Sequence, residues 1–124
     1  MTASRQVRPR TVSLSPRYHQ RGRAVEAMAC SLLRKQGYSV IRTMRYTSGI
    51  HLVAWCEWSP PLFIHVRRSR QTLTATGEVI AFWPQEVAAL QAIPRWDRMS
   101  VQFWVHAGPI HGWRFFEIFP GGVT

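Results

Sequence analysis

The order of the apolar patterns along the chain constrains the fold more than any other feature of the sequence. Apolar side chains recur at helical spacing over residues 20–36, and Gly37 follows as a helix stop. A second helix is predicted to begin near Pro84, and residues 68–78 are predicted to be a loop. Five β-rich runs are predicted to be strands: 38–44, 51–55, 62–67, 101–106 and 113–119. We therefore expect an α/β (α+β) fold, with a mixed central β-sheet of four or five strands flanked by helices.

The chain is strongly basic. It has 124 residues, and 16 Lys and Arg against six Asp and Glu give a formal net charge of +10 at pH 7. Every cation except Lys35 is an arginine. The planar guanidinium group bonds phosphate through two donors and stacks on bases, so this composition favours a nucleic-acid partner. A membrane-spanning helix is excluded, because it needs about 20 consecutive apolar residues and no apolar run in the chain approaches that length.

The excess positive charge is concentrated near the N-terminus, where residues 1–25 contain six arginines and no acid. We predict a flexible basic arm over residues 1–19 and one folded domain over residues 20–124. The arm is interpreted as a phosphate-binding segment, with a solubilising tail or an organellar transit peptide as alternatives. Cys30 and Cys56 lack metal-type or disulfide-framework spacing, which favours buried, reduced thiols and a cytoplasmic protein.

Polar side chains interrupt the apolar pattern at three places. Glu26 lies on the flank of the apolar stripe of the first helix, and His51 opens the second strand. Side chains alternate along a strand, so His65 and Arg67 share one face of the third strand with Phe63. These three segments can converge at one edge of the sheet, which makes their polar residues the candidate site.

The segments around these residues resemble the archaeal Holliday-junction resolvases. The matching segments are RGRAVEAMACSLLRKQGYSVIR, SGIHLVAW, LFIHVRRSR, VQFWVHAG and GWRFFEI, which lie within residues 20–118. Those resolvases belong to the PD-(D/E)XK nucleases. The resemblance implies a restriction-endonuclease-like fold, branched DNA as the partner and a homodimer.

In that family a Glu on the first helix, an Asp on the second strand and a Glu-x-Lys on the third strand hold a divalent metal and activate water. By position, Glu26 matches the helix Glu and His51 stands where the family has Asp. His65 stands in place of the strand Glu, and Arg67 stands in place of the Lys. Ser48 is the nearest counterpart of a Ser that the family has in the loop before the Asp.

These departures change the chemistry that the resemblance implies. Mg²⁺ prefers carboxylate oxygens, and two of them are replaced by imidazoles. Arg67 remains protonated and cannot act as a base. With Glu26, the two histidines form a set that suits Mn, Zn, Ni or Fe rather than Mg²⁺. The alternative is that His51 and His65 fill space and form ordinary hydrogen bonds.

We expect a DNA-binding protein that holds branched or duplex DNA by its phosphates and does not cleave it with Mg²⁺. One alternative is an active structure-specific endonuclease with a softer metal. The other is a catalytically inactive partner subunit of an active nuclease. The expected DNA-binding residues are Arg17, Arg21, Arg23, Arg45, Ser48, Arg68 and Arg70.

Six aromatic side chains in strand-like or helix-adjacent positions are predicted to lie in the core rather than to stack on bases. They are Trp55, Phe63, Phe82, Trp104, Trp113 and Phe115. Trp58 and Trp96 lie beside prolines and are candidates for exposure. His106 and His111 flank a Gly-Pro turn and are predicted to be surface residues.

Overall fold

The computed structural model describes residues 16–43, 49–96 and 98–124, with side chains from Arg23 onward. The helices are α1 (Pro16–Lys35), α2 (Thr76–Phe82), α3 (Pro84–Gln91) and α4 (Gly108–His111). The strands are β1 (Ser39–Arg42), β2 (Leu52–Cys56), β3 (Ser59–Arg68), β4 (Ser100–His106), β5 (Trp113–Phe119) and β6 (Gly122–Val123). None of the described helices is both long and apolar enough to span a membrane.

The strands form a single mixed sheet in the order β1-β2-β3-β4-β5-β6. Neighbouring strands are antiparallel except for β3 and β4, which run parallel. A parallel pair needs a crossover connection, and α2 and α3 form it between these two strands. The predicted fold class is thereby confirmed, and the two-residue β6 brings the sheet to six strands.

Helix α1 ends where the sequence predicts, because Gly37 adopts a left-handed backbone conformation with φ 95°. The backbone N–H of Tyr38 donates to the carbonyl of Leu33, and that of Gly37 donates to the carbonyl of Arg34, both at 3.0 Å. This pair of hydrogen bonds is a Schellman motif, in which glycine avoids the steric cost of a Cβ atom. The helix begins at Pro16, four residues before the predicted start.

Each face of the sheet carries its own apolar core. Helix α1 covers one face with the core residues Val25, Ala29, Cys30, Leu33, Leu52, Ala54, Leu62, Ile64, Val66 and Trp104. Helices α2 and α3 cover the other face with Ile50, Leu73, Val79, Val87, Leu90, Val101, Phe103, Val105, Phe116 and Ile118. Strand β3 lies between the two cores, so consecutive residues of β3 project into opposite layers.

Two arginines stabilise the fold through hydrogen bonds to backbone carbonyls. Arg95 donates to the backbone carbonyls of Leu90, at 3.1 Å, and Ile118, at 2.8 Å, which ties the end of α3 to β5. Arg114 donates to the backbone carbonyl of Leu73 in the connection before α2. Their guanidinium groups satisfy buried carbonyl oxygens, so part of the arginine excess has a structural use.

Several sequence-based expectations were wrong in detail. The end of the predicted loop 68–78 belongs to helix α2, where the Glu78 carboxylate accepts backbone hydrogen bonds from Thr74, at 2.6 Å, and Ala75, at 3.0 Å. Those backbone donors, the Thr74 bond first, lower the pKa of Glu78. His106 is buried, not a surface residue, because β4 is an interior strand of the sheet. His111 is exposed, as predicted.

The aromatic residues divide differently from the prediction. Three of those expected in the core are exposed to solvent: Trp55, Phe82 and Phe115. Trp104 is buried, and Trp58 and Trp96 are exposed as expected. Cys30 and Cys56 are both free thiols, but Cys56 is only partly buried.

Candidate functional site

Two stacked histidines lie at the centre of the candidate site. His51 directly precedes β2 and His65 lies on β3, and both side chains are buried. Their ring centroids are 4.3 Å apart with an interplanar angle of 28°. The other neighbour of His65 is the ring of Phe103, 4.6 Å away on β4. The predicted convergence of the second and third strands therefore occurs, as a packed aromatic stack.

The backbone determines the tautomer of each histidine. The Val66 N–H donates to Nδ1 of His51 at 2.9 Å, so neutral His51 carries its proton on Nε2. Nδ1 of His65 lies 2.6 Å from the carbonyl oxygen of Gly49, which can only accept, so His65 donates from Nδ1. Nε2 of His65 is then an unprotonated, buried nitrogen with no hydrogen-bond partner among the described residues.

Both histidines are neutral at physiological pH. Burial is the main cause of the lowered pKa of His51, with Glu26 acting in the opposite direction. Burial and the neighbouring His51 lower the pKa of His65 to about 3, and Arg67 acts in the same direction. A base with so low a pKa accepts a proton poorly, and a neutral imidazole does not attract phosphate as a cation.

Glu26 forms an ion pair on the other side of this site. Its carboxylate lies in the interface between α1 and the sheet, 3.3 Å from the guanidinium of Arg42 on β1. The side chain of Glu26 is only 7% exposed, more deeply buried than its position on the flank of the helix suggests. Its negative charge also acts on His51, so Glu26 and His51 belong to one electrostatic environment.

Arg67 forms an ion pair with Glu86 of helix α3. Its guanidinium lies 2.6 Å from the carboxylate of Glu86 in the first turn of α3, and both side chains are about one-third exposed. Glu86 was not anticipated from the sequence, because it is 19 residues from Arg67 and no local pattern links them. The pair places a carboxylate beside Arg67.

These donors do not fit Mg²⁺. Among Glu26, His51, His65 and Arg67, the single carboxylate is that of Glu26, and it is already paired with Arg42. Nδ1 of both histidines is hydrogen-bonded to the backbone. Within residues 16–43, 49–96 and 98–124, no group of three or more His, Cys, Asp or Glu side chains is arranged to hold a metal ion.

The expected phosphate-binding residues are only partly within the described region. Arg23 on α1 is exposed, and so are Arg68 and Arg70 at the end of β3. Arg45 and Ser48 lie outside the described residues, as does the arm up to residue 15. Arg17 and Arg21 lie on α1. Of these arginines, Arg68 and Arg70 follow His65 along the chain, at and just beyond the end of β3.

A search of the solved structures matches the chain with Hjc, a Holliday junction resolvase from Archaeoglobus fulgidus, an archaeal hyperthermophile, determined at 1.6 Å resolution. This chain is similar to that resolvase. The sequence identity is 21%, the match covers 79% of this chain and 73% of that chain, and the TM-score is 0.47. No family model matches the chain, and none of the curated proteins does.

Three residues that contact the candidate site were not predicted from the sequence, and for one of them the sequence did contain an indication. Arg42 and Glu86 are ordinary charged residues in sequence, and only the packing of their elements shows what they contact. Gly49 did have a signal, since a glycine at a strand break often adopts positive φ, here 82°. A Cβ atom there would lie 3.3 Å from Nδ1 of His65, so Gly49 also allows the close approach of that ring.

Proposed function

We propose that the protein binds DNA, branched or duplex, through its phosphates and does not cleave it with Mg²⁺. The observation that carries the proposal is the state of the four family positions. They hold two buried neutral imidazoles, a carboxylate paired with Arg42 and an arginine paired with Glu86. A fold that keeps positive charge at its surface while lacking a hydrolytic centre is suited to binding rather than catalysis.

The binding part of the proposal depends on charge. The net charge of +10 is carried by arginines, and three of those expected to contact phosphate are exposed: Arg23, Arg68 and Arg70. Phosphate contacts fix position and supply affinity, but they carry little sequence information. We therefore expect binding with little sequence preference and a steep dependence on salt, because each neutralised phosphate releases a counterion.

The absence of Mg²⁺-dependent cleavage follows from the donor chemistry. Hydrolysis of a phosphodiester with a metal requires ligands that hold the ion and leave it able to lower the pKa of a bound water. The two carboxylates here, Glu26 and Glu86, are each paired with an arginine, and the pKa of about 3 makes His65 a weak base. The ammonium-to-guanidinium change at Arg67 keeps positive charge but removes a group that can release a proton.

The binding experiment measures affinity for a four-way junction and a matched duplex by fluorescence anisotropy over a range of salt concentrations. The double variant R68A/R70A should reduce the slope of log affinity against log salt by about two, roughly one for each lost phosphate contact. The matched control is R98A, which removes an exposed arginine in the connection before β4. Equal slopes for the wild-type protein and R68A/R70A would contradict the proposed contact surface.

Truncation tests the arm in the same assay. Deleting residues 1–15 leaves α1 complete, because that helix begins at Pro16. The deletion removes Arg5, Arg8 and Arg10. The slope of log affinity against log salt should therefore become less steep, because fewer phosphates are neutralised. An unchanged slope would show that these residues make no phosphate contacts.

The cleavage experiment incubates a labelled junction with the protein and Mg²⁺. We expect no product from the wild-type protein, and nicking from the triple variant H51D/H65E/R67K if the backbone holds the family geometry. Mg²⁺-dependent cleavage by the wild-type protein, abolished by E26A, would overturn the proposal. Cleavage that needs Mn²⁺, Zn²⁺, Ni²⁺ or Fe²⁺ and is lost in H51A would instead establish the soft-metal endonuclease.

We also propose that the protein is a homodimer. Exposed apolar side chains in a short chain often mark an interface, and several large ones are exposed here, including Met28, Ile41, Ile80 and Phe82. Light scattering at tens of micromolar should give twice the monomer mass of 14.3 kDa. A monomeric mass would contradict it, and co-purification with an active nuclease would favour the partner-subunit alternative.

A further inference from the structure

The α1 side of strands β4 and β5 carries a cluster of aromatic side chains at the edge of the helix and beyond it. Helix α1 packs over β1, β2 and β3, and its core includes buried Trp104 on β4, with partly buried Trp113 on β5 packed against it. Beside them lie His106 on β4 and Phe115 on β5. We call Trp104, His106, Trp113 and Phe115 the aromatic platform.

The rings of the platform pack closely on one another. Trp104 lies 4.6 Å from Phe115 and 5.7 Å from Trp113 between ring centroids, both edge to face. Trp113 and Phe115 are stacked, with centroids 6.2 Å apart and planes only 13° from parallel. Phe115 is 51% exposed, and Trp113 is partly exposed. Buried Trp104 therefore contacts the half-exposed ring of Phe115 and the partly exposed ring of Trp113, and the planes of those two rings are nearly parallel.

Cations lie at the rim of the platform. The register places Arg68, His106 and Trp113 in one row across β3, β4 and β5, and Arg68 is exposed. The charge of Arg68 acts on His106, whose pKa is lowered chiefly by burial and then by this arginine. Lys35, at the end of α1, lines a shallow cleft together with Trp113. The cleft places Lys35 beside Trp113, and the strand register places Arg68 in the same row as Trp113.

The opposite end of this face is polar, and its side chains form hydrogen bonds with one another. The Glu117 carboxylate accepts from the hydroxyl of Ser100 at 2.8 Å, and Gln102 accepts from the indole N–H of Trp104 at 2.7 Å. A negative group there would repel phosphate. The sugar-phosphate chain of a ligand is accordingly expected on the Lys35 and Arg68 side.

We infer that the aromatic platform binds unpaired bases of single-stranded DNA, with Trp113 and Phe115 as the stacking surfaces and Lys35 and Arg68 as phosphate contacts. Exposed aromatic rings on an open sheet face, bordered by cations, provide what a single strand needs: a π surface for each base and neutralisation for its phosphates. Paired bases are stacked inside the duplex and cannot use these rings. The inference rests on the proposed DNA binding and adds a separate site for unpaired nucleotides beside Arg68.

The test compares two probes of equal length: an oligothymidylate and an abasic strand that keeps the phosphates but has no bases. Wild-type protein should bind oligothymidylate more tightly than the abasic strand. In W113L/F115L, leucine keeps the apolar cover over Trp104 and removes both π surfaces. Affinity for oligothymidylate should fall about 10-fold for each base that loses its stacking partner, while affinity for the abasic strand stays the same.

The matched control is W96L, which removes an 85% exposed tryptophan outside the platform and should change neither affinity. If W113L/F115L does not fold, as judged by circular dichroism, the single variant F115L at a half-exposed position should show a loss of about 10-fold for oligothymidylate alone. Light scattering of each variant accompanies the binding measurements.

Three results would overturn the inference. They are an unchanged affinity for oligothymidylate, an equal loss for both probes, or a change from dimer to monomer in the platform variants, which would assign this face to contact between copies. A wild-type protein that binds duplex DNA but does not prefer oligothymidylate over the abasic strand would refute the platform alone. A wild-type protein that binds no form of DNA would refute the proposed function together with it.

Discussion

Lowering the pH from 7 to 5 should destabilise the protein through His65. In the folded state the pKa of His65 is about 3, against an ordinary value of 6.5. As the pH falls below 6.5, the unfolded chain takes up a proton that the folded protein excludes. Stability is therefore complete above pH 6.5 and is lost progressively as the pH falls toward 3, at about 1.4 kcal/mol for each unit well below 6.5.

The structure gives the magnitude. Between pH 7 and pH 5 the two pKa values correspond to a loss of about 2 kcal/mol in the free energy of unfolding from His65 alone. His51 adds to this loss, because burial also lowers its pKa. The groups that face His65 are the ring of His51, the carbonyl of Gly49 and the ring of Phe103, and none of them carries a negative charge that would stabilise an imidazolium.

Urea unfolding at pH 7 and pH 5 measures this loss. The variant H65N keeps a donor for the Gly49 carbonyl and does not titrate in this range, so its stability should fall by about 2 kcal/mol less than that of the wild-type protein. H111N, at an exposed histidine, is the control and should behave like the wild-type protein. An equal fall in H65N, or protonation of folded His65 near pH 6.5 by NMR, would refute the reasoning.

Two further predictions concern the surroundings of the histidine pair. G49A should destabilise the protein by about 1–3 kcal/mol, because φ is 82° and the new Cβ atom lies 3.3 Å from Nδ1 of His65. The control G77A, in α2 with open space around it, should be neutral or stabilising in the same urea titration. E86Q should tighten DNA binding in fluorescence anisotropy at low salt, because it removes a negative charge beside Arg67, while stability changes by less than about 1 kcal/mol. Weaker binding by E86Q would contradict a role for Arg67 near phosphate.

Local sequence signals were sufficient for most of the elements. The apolar spacing of α1 and the glycine at its end predict a helix and its stop, because both are properties of a few neighbouring residues. Helix α2 was missed for the same kind of reason: it is seven residues long and carries one buried side chain, Val79, so it shows little periodicity. The charge of the chain also follows from composition alone.

Which face of a strand is covered was decided by the tertiary structure. Alternation in β5 shows that Phe115 and Phe116 point to opposite faces, but it does not show where α1 ends its coverage. Phe116 is buried under the helices of the opposite face, whereas Phe115 lies beyond α1 and is half exposed. The sequence-based prediction therefore placed Phe115 in the core, where the structure exposes it.

The sequence determined one part of the chemistry of the candidate site, and the tertiary structure determined the other. The sequence determined the residue types, and imidazoles are poorer ligands for Mg²⁺ than carboxylates are. Only the fold decided that His51 and His65 stack, that Arg42 pairs with Glu26, and that the Arg67 side chain meets α3. The residues in each of these contacts are 14 to 19 positions apart in the chain. No local sequence pattern specifies which distant side chain a packed helix or strand will contact.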